Sequence, residues 1–318
     1  MDASRTAFLI NPKSHRVAQH GAWLERVGRS DVNVMQIIDF ASLRDDLEEL
    51  AKDGAETFFI EGGDGTLLAI LSACADLKDT FPTSLRFAIL PGGSTNLAYK
   101  ITGFKARNAK HLKTRIEALF ESGQARVEFQ RALHVDCESF GAPQVGFLLS
   151  TGTLSRAMSY VQREFHGNGH RGSFAVAKAV LRFLAAPMKY LDHDNLPVVR
   201  GSQLSFRAGS ITYEGDHCLS LTTCFPRLSL GLNPFWGAES GDMSMTYAGW
   251  PVESFSRGLL RALFWKKPQK LREAGFHSHR VNKMSLLASD PIMIDGETYE
   301  TSGGEVTVSL TEPIGFLR

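Results

Sequence analysis

This chain carries no surplus of either charge: 35 Lys and Arg stand against 34 Asp and Glu, a formal +1. That balance argues against a nucleic-acid binder as a whole, although local patches stay open. The four cysteines, Cys74, Cys137, Cys218 and Cys224, form no C-x-x-C pair, as expected of reduced thiols in a cytoplasmic protein. No uncharged apolar run reaches the ~18 residues of a membrane span. Met1 to Arg5 is too short and polar for a signal peptide, so a cytoplasmic location is expected. Internal repeats and low-complexity tails are absent. Two familiar phosphate loops are missing as well. There is no G-x-x-x-x-G-K-[ST], and Gly63-Asp64-Gly65 lacks the third glycine of a dinucleotide fingerprint.

What is present begins with an ordinary globular composition, 43% apolar and 22% charged over 318 residues, enough for one large core or two modest ones. The most informative stretch is Phe58 to Leu68. A short apolar run from Thr57 to Ile60 predicts a buried parallel strand, and Leu67, Leu68, Leu71 and Ala75 recur at helical spacing. Gly62, Gly63 and Gly65 lie between them. A glycine turn from a strand end into a helix N-terminus suits an anion, because the backbone can approach closely and the helix dipole favours negative charge. Asp64 in such a turn repels phosphate unless a cation or a transferable proton intervenes. The alternative is that Asp64 or Thr66 simply caps the helix.

The first half has a β-α-β-α rhythm to about residue 125. Thr6 to Ile10, Val32 to Ile38, Thr57 to Ile60 and Arg86 to Leu90 read as strands. Val17, Leu24 and Val27 fit one helix face, and Ser42-x-x-Asp45 looks like a capping box ahead of Leu43, Leu47 and Leu50. A parallel sheet covered on both faces follows. Three strand ends carry polar turns: Asn11-Pro12-Lys13-Ser14, Gly62 to Gly65, and Pro91-Gly92-Gly93-Ser94-Thr95-Asn96. Parallel strands point the same way, so these turns can converge on one rim.

After Gly123 the pattern becomes short β-like runs: 126–129, 132–135, 145–149, 203–206, 218–223, 243–247, 284–287 and 305–310. Helices are expected somewhere in Ser173 to Ala186 and over about Val252 to Phe264, and Arg163 to Gly172 reads as a loop. Ser254 to Arg272 holds six cations and no acid, interleaved with Leu259, Leu260, Leu263, Phe264 and Trp265. Such a helix either lies on an anionic membrane or packs on the sheet with its basic face in water. Asp295-Gly296-Glu297 follows an apolar run. It is either a carboxylate pair on one face, able to take a proton from a hydroxyl, or an Asp-Gly hairpin turn. His277 and His279 share a strand face, but no third metal ligand is near in sequence.

Together these stretches resemble the catalytic-domain family of diacylglycerol kinases, which includes bacterial soluble lipid kinases and sphingosine kinases. Asn11-Pro12-Lys13-Ser14 is similar to its N-P-x-S, Gly62 to Thr66 to its G-G-D-G-T, Pro91 to Asn96 to its P-x-G-[ST]-x-N, and Asp295-Gly296-Glu297 to its D-G-[DE]. Gly241-Asp242-Met243 resembles a shorter second-domain segment. Three places depart from the pattern: His15, Leu97, and Phe147 to Gly152.

The resemblance implies an α/β protein. Its N-terminal domain, residues 1–125, would be a doubly wound, mostly parallel sheet. A β-rich, antiparallel, sandwich-like lipid-binding domain would span 126–305, with 306–318 packing back on the first. It implies ATP and Mg2+ as cofactors. Gly63, Asp64, Gly65 and Thr66 would sit at the triphosphate, and Asn11, Gly62, Gly92, Gly93, Ser94 and Asn96 at the nucleotide. Asp64 or Asp295 would be the base, with Glu297 beside Asp295, and Asp242 would be a magnesium ligand. A lipid acceptor and transient contact with a membrane surface follow from it. A homodimer, a soluble phosphotransferase of NAD-kinase type, and an inactive lipid- or nucleotide-binding regulator stay open.

Overall fold

The computed structural model describes residues 1–81, 85–93, 96–158, 160, 189–192, 195–228, 232–252, 255–264 and 267–318. Two compact units result, Met1–Ala132 with Thr311–Arg318, and Leu133–Leu310. The loop expected over 163–172 and the helix expected within 173–186 lie outside the described residues.

In the first unit β1 (Thr6–Ile10), β2 (Asn33–Gln36), β3 (Thr57–Gly62), β4 (Arg86–Pro91), β5 (Val127–Gln130) and a last strand, Ile314–Leu317, form one sheet. Their order is β2-β1-β3-β4-(314–317)-β5, parallel except for β5. From β1 the chain goes to β2 on one side and returns to β3 on the other. The carboxyl ends of β1 and β3 therefore flank a switch point, where open α/β sheets hold ligands. All six residues of β3 are buried. Phe8, Ile10, Phe59, Ala88 and Leu90 share a core with Val17, Leu24 and Val27, and with Leu112, Ile116 and Leu119 of α6 (Ala109–Ser122).

Val17, Leu24 and Val27 do not share one helix. Gly21, at φ 74°, separates α1 (His15–His20) from α2 (Trp23–Val27). The capping box does not form ahead of α3 (Leu43–Lys52). Ser42 already has helical backbone angles, and its hydroxyl donates to the Asp46 carboxylate at 3.1 Å. The first unit extends to Ala132 rather than 125, because β5 pairs with the last strand. It resumes at Thr311 rather than 306, because 306–310 pairs within the second unit.

The second unit is a single antiparallel sheet. Its strands are β6 (Leu133–Asp136), β7 (Gln144–Gly146), β8 (Leu148–Gly152), β9 (Ser202–Ala208), β10 (Ile211–Thr223), β11 (Met243–Gly249), β12 (Phe276–Val281), β13 (Met284–Ala288), β14 (Ile292–Ile294), β15 (Glu297–Tyr299) and β16 (Val306–Leu310). The long β10 makes it fork. One edge of β10 pairs with β9 up to His217 and with β8 from Leu219 onward, while the other edge pairs with β11 from His217 to Thr223. The expected sandwich thus takes the form of one curled, branched sheet. α7 (Phe255–Phe264) and α8 (Pro268–Glu273) pack against it through Phe255, Ala262 and Leu271, which join Leu219, Ala248 and Phe276 in one core. Among the described residues no helix is long and apolar enough to cross a membrane.

A polar string runs through the fork. His217 is fully buried; Nδ1 donates to the Ser202 carbonyl at 2.7 Å, and Nε2 meets the Thr151 hydroxyl at 2.7 Å, itself 2.7 Å from the Ser220 hydroxyl. Burial, more than the nearby Arg156 charge, holds His217 below its ordinary 6.5, against the pull of the Ser202 carbonyl. The folded imidazole stays neutral where the unfolded one takes a proton. Stability from this site is therefore full above pH ~6.5 and falls as pH drops toward the folded value. Melting temperature measured from about pH 8 to about pH 5 should show this acid-side loss, and His217→Gln should flatten it.

Candidate nucleotide and acceptor sites

In the first unit the three polar turns do converge. Gly62 and Gly63, at the end of β3, lie directly against Gly92 and Gly93, at the end of β4. A Cβ on Gly92 would stand 2.6 Å from the Gly62 Cα, and one on Gly93 2.6 Å from the Gly63 Cα. A Cβ on Gly62 would meet the Thr66 side chain at 2.6 Å. Glycine at 92 and 93 is therefore a matter of contact between two backbones, and at 62 of contact with the Thr66 side chain.

Side chains lock the rim. Asn11, at the end of β1, donates from Nδ2 to the Thr66 hydroxyl at 2.8 Å and accepts the Lys13 N–H at 2.9 Å. Asn96 sits in the left-handed region at φ 50°, where asparagine is the best tolerated residue after glycine. Its side chain grips Gly93 twice, accepting the Gly93 N–H at 2.9 Å and donating to the Gly93 carbonyl at 2.7 Å. Ser94 lies outside the described residues.

Neither Asp64 nor Thr66 caps the helix that it opens. α4 (Asp64–Asp76) has Gly63 as its N-cap and receives no side-chain cap from it. In an α-helix the first N–H groups have no partner inside the helix, so the amides at Asp64, Gly65 and Thr66 face the turn. The Asp64 carboxylate instead accepts the Leu97 and Ala98 N–H groups, both at 3.1 Å, and so caps α5 (Leu97–Thr102). Burial raises its carboxyl above the ordinary carboxylate value, while these two donors and Lys100 pull the other way. The Asn96 backbone N–H pulls the same way as a third donor.

Two residues that sequence reasoning missed underpin this rim. Glu61, the residue before the glycines, is fully buried and ionically paired with Arg16. It accepts the Trp23 and Leu24 N–H groups at 2.8 Å, capping α2. Arg16 also donates its backbone N–H to the Gly92 carbonyl at 2.8 Å, donates from Nε to the Pro91 carbonyl, and stacks over Trp23. Through this pair α1 and α2 are tied to the ends of β3 and β4. A signal was available, since a carboxylate ending a wholly apolar strand must find a partner.

In the second unit Asp295 and Gly296 have φ values of 48° and 99° and link the paired residues Ile294 and Glu297. This is a two-residue hairpin of the primed kind. The turn breaks strand alternation, so Asp295 and Glu297 do not share a face; Glu297 is exposed. The Asp295 carboxylate accepts the Phe147 N–H and the Leu148 N–H, both at 2.9 Å. The Thr223 hydroxyl holds the Phe147 carbonyl at 2.6 Å, and the Phe147 ring stacks on Phe225 at 4.7 Å. These contacts split the expected 145–149 strand into β7 and β8. Burial first, then the charges of Glu297 and Asp295, pushes the Tyr299 phenol up to about 12.

Asp242 is exposed in the turn before β11, where its N–H donates to the Asn282 side chain at 3.0 Å. His277 and His279 stack along Tyr247, and His279 Nδ1 meets Glu239 at 2.8 Å. Among the described residues no three metal-ligating side chains gather, so neither place is a protein-only cation cage.

The family model of the diacylglycerol kinase catalytic domain matches residues 5–131. No curated protein matches the chain in sequence. Among solved structures, a Bacillus anthracis str. Sterne protein described as a diacylglycerol kinase is similar at 14% identity and TM-score 0.63, over 98% of this chain and 93% of its own. Two more structures of that description and organism reach TM-scores of 0.59 and 0.61 at 12% identity; each pairs 96% of this chain, with 93% and 94% of theirs. At such identities the likeness is one of fold, and it extends over both units. Residues 5–131, the stretch that matches the family model, hold every described member of the glycine rim.

Proposed function

We propose that this protein transfers the γ-phosphoryl group of ATP to a lipid hydroxyl at a membrane surface. Diacylglycerol-like acceptors come first, sphingoid or phosphatidylglycerol-type acceptors second. The observation that carries this reading is the backbone contact between Gly62-Gly63 and Gly92-Gly93, beside the switch point between β1 and β3 and within residues matched to a lipid kinase family.

Phosphoryl transfer asks the protein mainly for position and electrostatics. The glycines let phosphate oxygens approach the backbone. The N-terminal amides of α4 donate to them, and Asn11 and Asn96 keep the turns from relaxing. Magnesium, when bound, neutralises charge on the phosphates. The donor set suits it, because magnesium usually takes one or two carboxylates together with substrate phosphates and water. Asp64 would be such a carboxylate. The bond from the γ-phosphorus to the bridging oxygen breaks, one to the acceptor oxygen forms, ADP leaves, and the acceptor proton passes to a carboxylate. Asp64 and Asp295 are the candidates; burial raises the Asp64 carboxyl, which favours its taking up a proton.

The test is transfer of label from ATP, with magnesium, to a lipid panel in mixed micelles, with NAD and water as parallel acceptors. Label entering the organic phase for one lipid class is the expected result. Label in the NAD fraction, or none anywhere from a sample that binds ATP, overturns it.

A further inference from the structure

The helix α7 has two working sides. Phe255, Gly258 and Ala262 are buried, and Gly258 is required there, because a Cβ would stand 2.2 Å from the Phe276 ring of β12. At 3.6 residues per turn the opposite side carries two pairs spaced four apart, Leu260 with Phe264 and Arg257 with Arg261. Leu260 is partly buried, Phe264 is 60% exposed, and both arginines are exposed. Lys267, Lys270 and Arg272, on and beside α8, are exposed too, as is Glu273 at the end of α8. Among the described residues neither arginine of α7 forms an ion pair.

From Ser254 to Arg272 the sequence has six cations and no acid, in a chain whose total charge is only +1. Phe264 leaves apolar ring surface in solvent beside those cations. An interfacial helix needs that combination, an apolar ridge to enter the headgroup boundary and flanking cations to meet anionic lipid. We infer that the outward side of α7, extended by the cations of α8, is a docking face for an anionic lipid bilayer. This rests on the reading of the protein as a lipid kinase, since a membrane-borne acceptor is what makes a bilayer, rather than a protein, the occupant. Because α7 is packed onto β12, docking through this face would fix the orientation of the whole second unit on the membrane.

The experiment is sedimentation of the full chain with vesicles of phosphatidylcholine alone and of phosphatidylcholine with phosphatidylglycerol, across a salt series. The wild type should bind the anionic vesicles and release as salt rises. Arg257→Ala with Arg261→Ala should weaken that partitioning by roughly 30-fold and flatten the salt dependence. Phe264→Ser should weaken binding while keeping the salt dependence. All three substitutions are at exposed positions, and unchanged melting temperature verifies the fold. With acceptor presented in neutral detergent micelles, the variants should transfer phosphate as the wild type does. Absent vesicle binding, or equal binding by wild type and variants, overturns the proposal and leaves the face to a protein partner. Vesicle binding that follows the variants, without phosphate transfer to any acceptor, upholds the docking face while overturning the lipid-kinase reading.

Discussion

Gly92→Ala and Gly93→Ala should each destabilise the protein by ~3 kcal/mol, toward the upper end of what an inserted methyl costs in a packed interior. Both new methyls would be directed at backbone, 2.6 Å from the Cα of Gly62 or Gly63. Backbone cannot swing aside as a side chain tip can, so β4 must move away from β3 at its carboxyl end. The expected shift in melting temperature is a drop of roughly 10 °C. Nucleotide affinity should fall with it, because the moved turns are those proposed to receive phosphate. Differential scanning calorimetry with and without ATP measures both effects. A Gly93→Ala protein that melts and binds ATP as the wild type does would show that the two turns are not held in contact.

Asp64→Asn should lower kcat by ~100-fold or more if Asp64 takes the proton or holds the cation. The substitution also has a structural reading that must be separated from the chemical one. Asp64 accepts two backbone N–H groups with its two oxygens, and an amide would turn a donor toward one of them. Melting temperature should therefore fall as well. The pH profile separates the two. Since burial raises the Asp64 carboxyl, a wild-type rate that depends on its ionised form falls at a pH above the ordinary carboxylate range. That limb should vanish in Asp64→Asn. The parallel change Asp295→Asn should likewise cut kcat by ~100-fold if Asp295 is the working base. If its work is only to hold the Phe147 and Leu148 amides, the melting temperature falls and the micelle rate stays near normal.

The parts of this fold that showed in the sequence are those fixed by neighbours along the chain. The apolar run of β3, the glycines after it and the helical leucines of α4 needed only local geometry. What stayed hidden depended on partners far away. Glu61 looked like the end of a strand, and its importance lies in Arg16 and in the amides of α2. The break between β7 and β8 at Phe147 is made by a carboxylate 148 positions later, which alternation within 145–149 cannot reveal. Asp295-Gly296-Glu297 offered two local readings, and the structure gives the turn geometry together with a carboxylate bound to a distant corner. The glycine rim was legible because close packing at the two strand ends requires glycine, against backbone at 92 and 93 and against Thr66 at 62, and the sequence has it there.

The place of the Ile314–Leu317 strand, between β4 and β5, bears on how the protein is made. Phe316 pairs with Phe87 of β4 and Gly315 with Phe129 of β5, and Phe316 and Leu317 are fully buried. On the ribosome this strand emerges only after all of Leu133–Leu310. At ~5–20 residues per second that is a delay of roughly 10–40 s. Through that interval the edge of β4 has no neighbour, and an open parallel edge is a template for pairing with the wrong chain. The glycine rim thus stands on a sheet that closes last, and the nascent protein completes its first unit only when the second has already been delivered.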